Sequence, residues 1–385
     1  MDIDSIIDTD DLLYARLFAR PPVYDLIFSC LSPRSLTRVA LTCRAASSAA
    51  AEFKTRAFNI NRHFTRYFTD PIVFRSLQAR TNSLVSGSNA LQFLDRTFYP
   101  ESDLDLYTHP GHSFEVAQFL VEVEGYHYVP REYQTKDWKV ATKSYWDGTE
   151  RRAVAQGTSP HAYTKPGIRA VSTFKKHSLN QEYLTVQIIE ASSSPFESIL
   201  GFHSTCVMNF ISSDAAYSLY PTATFENRAS LGMPSSRSTP TAIEKYIKRG
   251  WRIYYIPTPN NLAFFIEQAR WVHDEHTWRL PLNQTGIEKR PPLSPTSAPL
   301  GFDPVLFNGW KLRIPERQET VGGYECYYYP VRTTLFRYNY AISEEDLSFA
   351  IREWAIQQGK YYHWQVSKED WAWFDADIPG FLQKK

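Results

Sequence analysis

The chain has 385 residues, 43% of them hydrophobic and 22% charged, which excludes a wholly disordered or collagen-like polymer and leaves room for two or three domains. A balance of 42 basic against 41 acidic residues gives a net charge of +1, so no global field holds a nucleic-acid backbone and any basic groove has to be local. The four cysteines (Cys30, Cys43, Cys206, Cys326) lack the paired spacing of a zinc site and predict reduced, buried thiols. The start, MDIDSIIDTDD, is acidic where a secretion signal is basic, and no apolar run approaches the ~18 residues of a membrane span. An intracellular protein, cytoplasmic or nuclear, with no membrane contact is expected.

Residues 10–58 read as short helices. Leu12, Leu13, Leu17 and Phe18 repeat at helical spacing, as do Leu26, Ile27 and Leu31, and Pro21-Pro22 and Ser32-Pro33 mark helix starts. Residues 62–250 mix signals. Leu84-Val85 enters Gly87-Ser88, Ala90 to Phe98 has helical spacing, and Asp103 to Tyr107 alternates as a strand. Phe114 to Val123 is expected as a helix, and Ile168–Phe174 and Tyr183–Ile189 as two strands around a turn at Leu179-Asn180. Residues 251–385 form a third, aromatic-rich region. Helices are expected at Ile243–Lys248, Leu262–Val272 and Glu344–Gln358, strands near Tyr324–Tyr340, and loops at Gly232–Pro240 and Arg290–Pro299. The expected class is α+β: a short helical segment, a mixed sheet with helices, and a C-terminal α/β extension.

Asp103 and Asp105 are two apart, so on a strand both carboxylates share one face while Leu104 and Leu106 enter the core. Two converging carboxylates repel unless a cation lies between them, and Mg²⁺ suits oxygen ligands of this kind. Gly87-Ser88, between a strand and a helix, sits where free N–H groups favour a phosphate. Together Val-Ser-Gly-Ser, the helix and Ser-Asp-Leu-Asp-Leu-Tyr resemble the nucleotidyltransferase superfamily signature, in particular a fungal group carrying similar strings. The resemblance implies Asp103 and Asp105 as metal ligands, Gly87 and Ser88 as the triphosphate turn, and Mg²⁺ with a nucleoside triphosphate as cofactors. The family also carries a third carboxylate on a later strand. Here Gln187 or His203 stands at the candidate positions, with Glu190 and Asp214 out of step.

Pro22-Val-Tyr-Asp-Leu-Ile-Phe-Ser-Cys-Leu-Ser-Pro-Arg-Ser-Leu36, running on to Cys43-Arg44, resembles an F-box. That resemblance implies docking to an adaptor subunit of a cullin-type ubiquitin ligase through Pro22, Leu26, Ile27, Leu31 and Leu36. The same residue types also fill a helical core. His273-Asp-Glu-His276 is read as a solvated helix face and not a metal site, Glu244–Gly250 as a solvated basic helix, and no Walker or dinucleotide loop is present. Two functions stay open: an intracellular binding or adaptor protein whose nucleotidyltransferase-like site is degenerate, and an active Mg²⁺-dependent nucleotidyltransferase acting on RNA, protein or a small molecule.

Overall fold

Proline at the first helical turn starts two of the three N-terminal helices, because a helix start leaves its N–H groups unbonded and proline has none to lose. In the computed structural model, which describes residues 17–143, 167–177, 183–233, 240–255, 264–266, 268–313, 324–333, 335–362 and 372–382, these are α1 (Pro21–Ser29) and α2 (Pro33–Ala40). The expectations for Leu12, Leu13, Leu179-Asn180, most of the Gly232–Pro240 loop and the start of the Leu262–Val272 helix lie outside those residues. Ser32 caps α2 by accepting from Ser35 N–H, and Cys43 Sγ caps α3 (Arg44–Ala57) by accepting from Ala46 N–H. The three helices share a small core of Tyr24, Phe28, Leu36, Ala49, Ala50 and Phe53.

Two charged side chains bind this bundle to the rest of the chain. Arg96 donates from Nη1 to Phe28 O (3.0 Å) in the last turn of α1 and from Nη2 to Leu31 O just past it, and its guanidinium lies over the Phe53 and Phe58 rings. Glu226 accepts at the other end, from Ser32 Oγ (2.6 Å) and Arg34 N–H (3.1 Å) at the start of α2.

Helices α4 (Ile60–Phe64) and α5 (Pro71–Thr81) lead to β1 (Leu84–Ser86), α6 (Gly87–Asp95) and β2 (Leu104–Thr108). Helix α6 stops before Phe98 because Arg96 adopts the left-handed conformation (φ 54°). There follow α7 (Ser113–Gln118), continued by a π turn over Phe119–Val123, then β3 (His127–Tyr128), α8 (Trp138–Thr142), β4 (Ile168–His177) and β5 (Tyr183–Ala191). Next come α9 (Pro195–Leu200), β6 (Asn209–Ile211), β7 (Ala215–Ser218), β8 (Ala229–Leu231), α10 (Pro240–Lys248), β9 (Arg252–Tyr254), β10 (Arg270–Trp271) and β11 (Trp278–Pro281). The eight-stranded sheet runs β11-β7-β6-β1-β2-β5-β4-β3. Its β2–β5 pairing is parallel and its other pairings are antiparallel. The fold is mixed α+β with helices at its N-terminal end.

Helices cover both faces of this sheet, so its inner strands are apolar on both sides. Val85, Leu104, Leu106, Val186 and Ile188 face α4 to α7, whereas Leu84, Tyr107, Val171 and Ile189 face α9 and β12 (Gly309–Arg313). Four corrections follow. The boundary at residue 250 cuts through one sheet, because β11 covers the otherwise open edge of β7. Residues 268–272 are not helical: Arg270–Trp271 pairs with Trp310 and Gly309. His273 to His276 is a turn, organised by Asp274 accepting from the N–H groups of Trp271, His276 and Thr277. The cysteines are free, but Cys30 and Cys43 are exposed, contrary to the buried thiols expected.

The C-terminal part has its own core of Val331, Tyr340, Ile342, Leu347, Ile351 and Ile378. These lie on β14 (Tyr329–Val331) and β15 (Tyr340–Ile342), after β13 (Glu325–Tyr327), and on α11 (Glu345–Tyr362) and α12 (Ile378–Leu382). His109, just past β2, packs its ring 5.1 Å from Tyr338, next to Asn82. Burial, then the charges of His112 and Arg337, lowers its pKa to about 3.

Two outcomes are expected. Arg96→Ala strips the α1 carbonyl end of its charged donors, costs about 2–3 kcal/mol, and lets protease cut near Phe58 sooner than in the wild type. For His109, the unfolded chain takes up a proton below about pH 6.5 while the folded chain does not until about pH 3. Its neutral form therefore lowers stability progressively as pH falls across that window and has no effect above it. Urea unfolding of His109→Gln between pH 3 and 7 should show a shallower acid loss than the wild type; equal slopes would refute this.

Candidate functional site

Strand β2 lies between β1 and β5, and its register fixes the neighbours of each carboxylate. Ser86 pairs with Asp105, and Asp105 pairs with Gln187. Alternation puts Asp103, Asp105, Ser86 and Gln187 on one face, and it buries Leu104 and Leu106 completely on the other. Both aspartates are half-buried.

At the end of β1 the chain turns through Gly87 at φ 69° into α6, with no side chain capping the helix. A Cβ built on Gly87 would lie 2.6 Å from Asp105 Oδ2. The glycine therefore serves two needs, a left-handed backbone and close approach of a carboxylate. The anion leaning on this helix start is the protein's own Asp105, placed where the helix dipole favours negative charge. The Ser88 hydroxyl is turned inward, 2.6 Å from Ser102 Oγ, and Ser86 Oγ donates to Asn209 O.

Beside Asp103 the side chain that meets the carboxylate is an amide. Gln187 Nε2 donates to Asp103 Oδ2 over 3.2 Å. A carboxylate accepts and does not donate, so the amide turns its NH₂ group toward it. That puts a donor, with positive partial charge, where the resemblance expects a third acid. Among the described residues, no group of three or more His, Cys, Asp or Glu side chains is placed to hold a metal ion. His203 packs its ring 5.5 Å from that of Tyr246 on α10. Asp214 is paired with Arg290 (2.8 Å) and Glu190 with Arg169 (3.2 Å), so neither out-of-step acid joins the pair. The residues present do not fit a three-carboxylate Mg²⁺ site.

Positive charge comes from α10 instead. Lys245 lies within electrostatic reach of both aspartates, and burial, followed by Arg249, lowers its pKa. Burial raises the Asp103 pKa, against the pull of the Gln187 bond, Lys245, Thr185 and Lys175. Desolvation thus works on both signs of charge, and each lowers the cost of the other. Arg249, one turn along from Lys245, is 9% exposed, stacks 3.6 Å above Tyr99 and pairs with Glu101. The spacing of Lys245 and Arg249 was visible in the sequence, but not which way that face pointed.

No protein-family model, curated protein or solved structure matches the chain. The site is known by its own geometry.

Of the residues expected to dock a partner, Pro22, Leu26 and Ile27 lie on one outward face of α1, with Leu26 73% and Ile27 43% exposed. Val23 joins them, spaced so that the four form a stripe. Leu31 is half-buried against the bundle. Leu36 is inside it, 1% exposed, because capping by Ser32 turns that face of α2 toward Tyr24 and Phe28. It offers nothing to the surface.

The Gly87 contact yields a coupled prediction. Gly87→Ala should cost about 1–3 kcal/mol from the left-handed backbone, plus the clash with Asp105. Asp105→Ala removes that clash, so urea unfolding of the double variant should show less loss than the two single losses summed. Simple additivity would count against the contact.

Proposed function

We propose that the chain is a binding or adaptor protein: an F-box-like N-terminal bundle joined to a nucleotidyltransferase-like domain whose acidic site no longer carries out transfer. The observation that carries this reading is the Gln187 amide donating to Asp103 at the position of the third acid. A neutral amide adds no negative charge for a divalent cation, and an NH₂ group facing the pair opposes one. Lys245 supports the same reading, since its ammonium lies within electrostatic reach of both aspartates. The outward stripe of Pro22, Val23, Leu26 and Ile27 supports docking through α1, in the manner the resemblance implies for a cullin-ligase adaptor subunit. Among the described residues, no helix is long and apolar enough to cross a membrane.

Calorimetric titration of ATP with Mg²⁺ into the full chain should give no saturable metal-dependent heat, and Asp103→Ala/Asp105→Ala should behave alike. Saturable Mg²⁺-dependent heat that the double variant abolishes would instead establish the transferase reading. Affinity capture from cell extract should lose partners when Leu26 and Ile27 are both changed to Asp, substitutions that leave the bundle core untouched. Identical partner lists would sink the adaptor function.

A further inference from the structure

A cavity of about 430 Å³, lined by neither aspartate, opens between α4, α6 and the start of β5. Its volume falls in the range of small-molecule sites. One wall is a hydrogen-bond chain whose direction is fixed from its end. Tyr67 O–H donates to Ser102 O (2.8 Å), so its oxygen accepts from Asn89 Nδ2 (3.3 Å). Asn89 Oδ1 then faces His63 Nε2 at 2.8 Å and accepts from it, which makes His63 the Nε2–H tautomer. Gln92 is also used at both ends, donating to Ser88 O and accepting from Tyr99 N–H. The wall is therefore satisfied and rigid before any ligand arrives.

Charge and an aromatic face are what remain uncompensated. Arg66 stacks 4.8 Å from the Phe98 ring centroid and 5.3 Å from that of Tyr67, and it donates to the carbonyls of Tyr99 and Pro100. Those carbonyls fix its position but leave its charge. Arg62, at the exposed lip, donates to Arg56 O. Among the described residues, neither arginine has a carboxylate partner. Phe98 is 68% exposed, a large ring held out at the rim by the guanidinium beneath it. A ligand that answers both features is planar at one end and anionic at the other. We infer that this cavity binds a nucleoside monophosphate, its base stacked on Phe98 and its phosphate between Arg62 and Arg66. Guanidinium and aromatic faces suit these two groups. The site is separate from the acidic pair and needs no metal.

The test is calorimetric titration of AMP into the full chain in EDTA, with adenosine and inorganic phosphate as separate arms. AMP should bind saturably and more tightly than either fragment. Phe98→Ala and Arg62→Ala, both exposed positions, should each weaken it about tenfold while thermal melting stays unchanged. Asp103→Asn/Asp105→Asn should leave AMP binding as it is, which keeps this site distinguishable from the acidic pair. Absence of saturable heat overturns the inference, as does binding that survives both Phe98→Ala and Arg62→Ala. AMP binding that requires Mg²⁺ and the aspartates also overturns it, and assigns the nucleotide to the acidic pair.

Discussion

The register of β2 between an antiparallel and a parallel neighbour is the constraint from which the site follows. A strand held on both sides cannot slip by one residue without turning Leu104 and Leu106 out of a core in which both are fully buried. With the register fixed, Ser86, Asp105 and Gln187 stand in a row across three strands, and Asp103 reaches the same amide from one step along. The composition of the site is therefore settled by pairing, and no loop rearrangement is needed to assemble it.

Charge at this site is managed by short-range protein groups. Asp105 leans on the Gly87 turn at the start of α6, Asp103 takes the Gln187 amide, and Lys245 approaches from α10. Each of these lowers the cost of holding negative charge in a half-buried place, where an isolated carboxylate would be expensive. Burial still raises the Asp103 pKa, so the compensation is partial.

The N-terminal bundle is joined to the sheet by its helix ends. Arg96 meets the carbonyl end of α1 and Glu226 the N–H end of α2, each charge complementing the helix pole it faces. Among the described residues this attachment leaves Pro22, Val23, Leu26 and Ile27 of α1 exposed.

Local sequence determined those features that depend on spacing and side-chain chemistry alone. The two-residue step of Asp103 and Asp105 put them on one face, prolines and Ser32 set helix starts, and Gly87 marked a turn that only glycine tolerates well. Tertiary structure decided the rest. The apolar run before Val272 has helical spacing, yet Arg270–Trp271 pairs with β12, since a partner strand overrides local propensity. Leu36 and Leu26 are alike as residues, and only packing makes one core and the other surface. Sequence offered Gln187 and His203 equally for the third position near the aspartates. The parallel pairing of β5 with β2 set Gln187 beside Asp105, because neighbours across a sheet are set by which strands lie side by side, and no spacing along one chain encodes that.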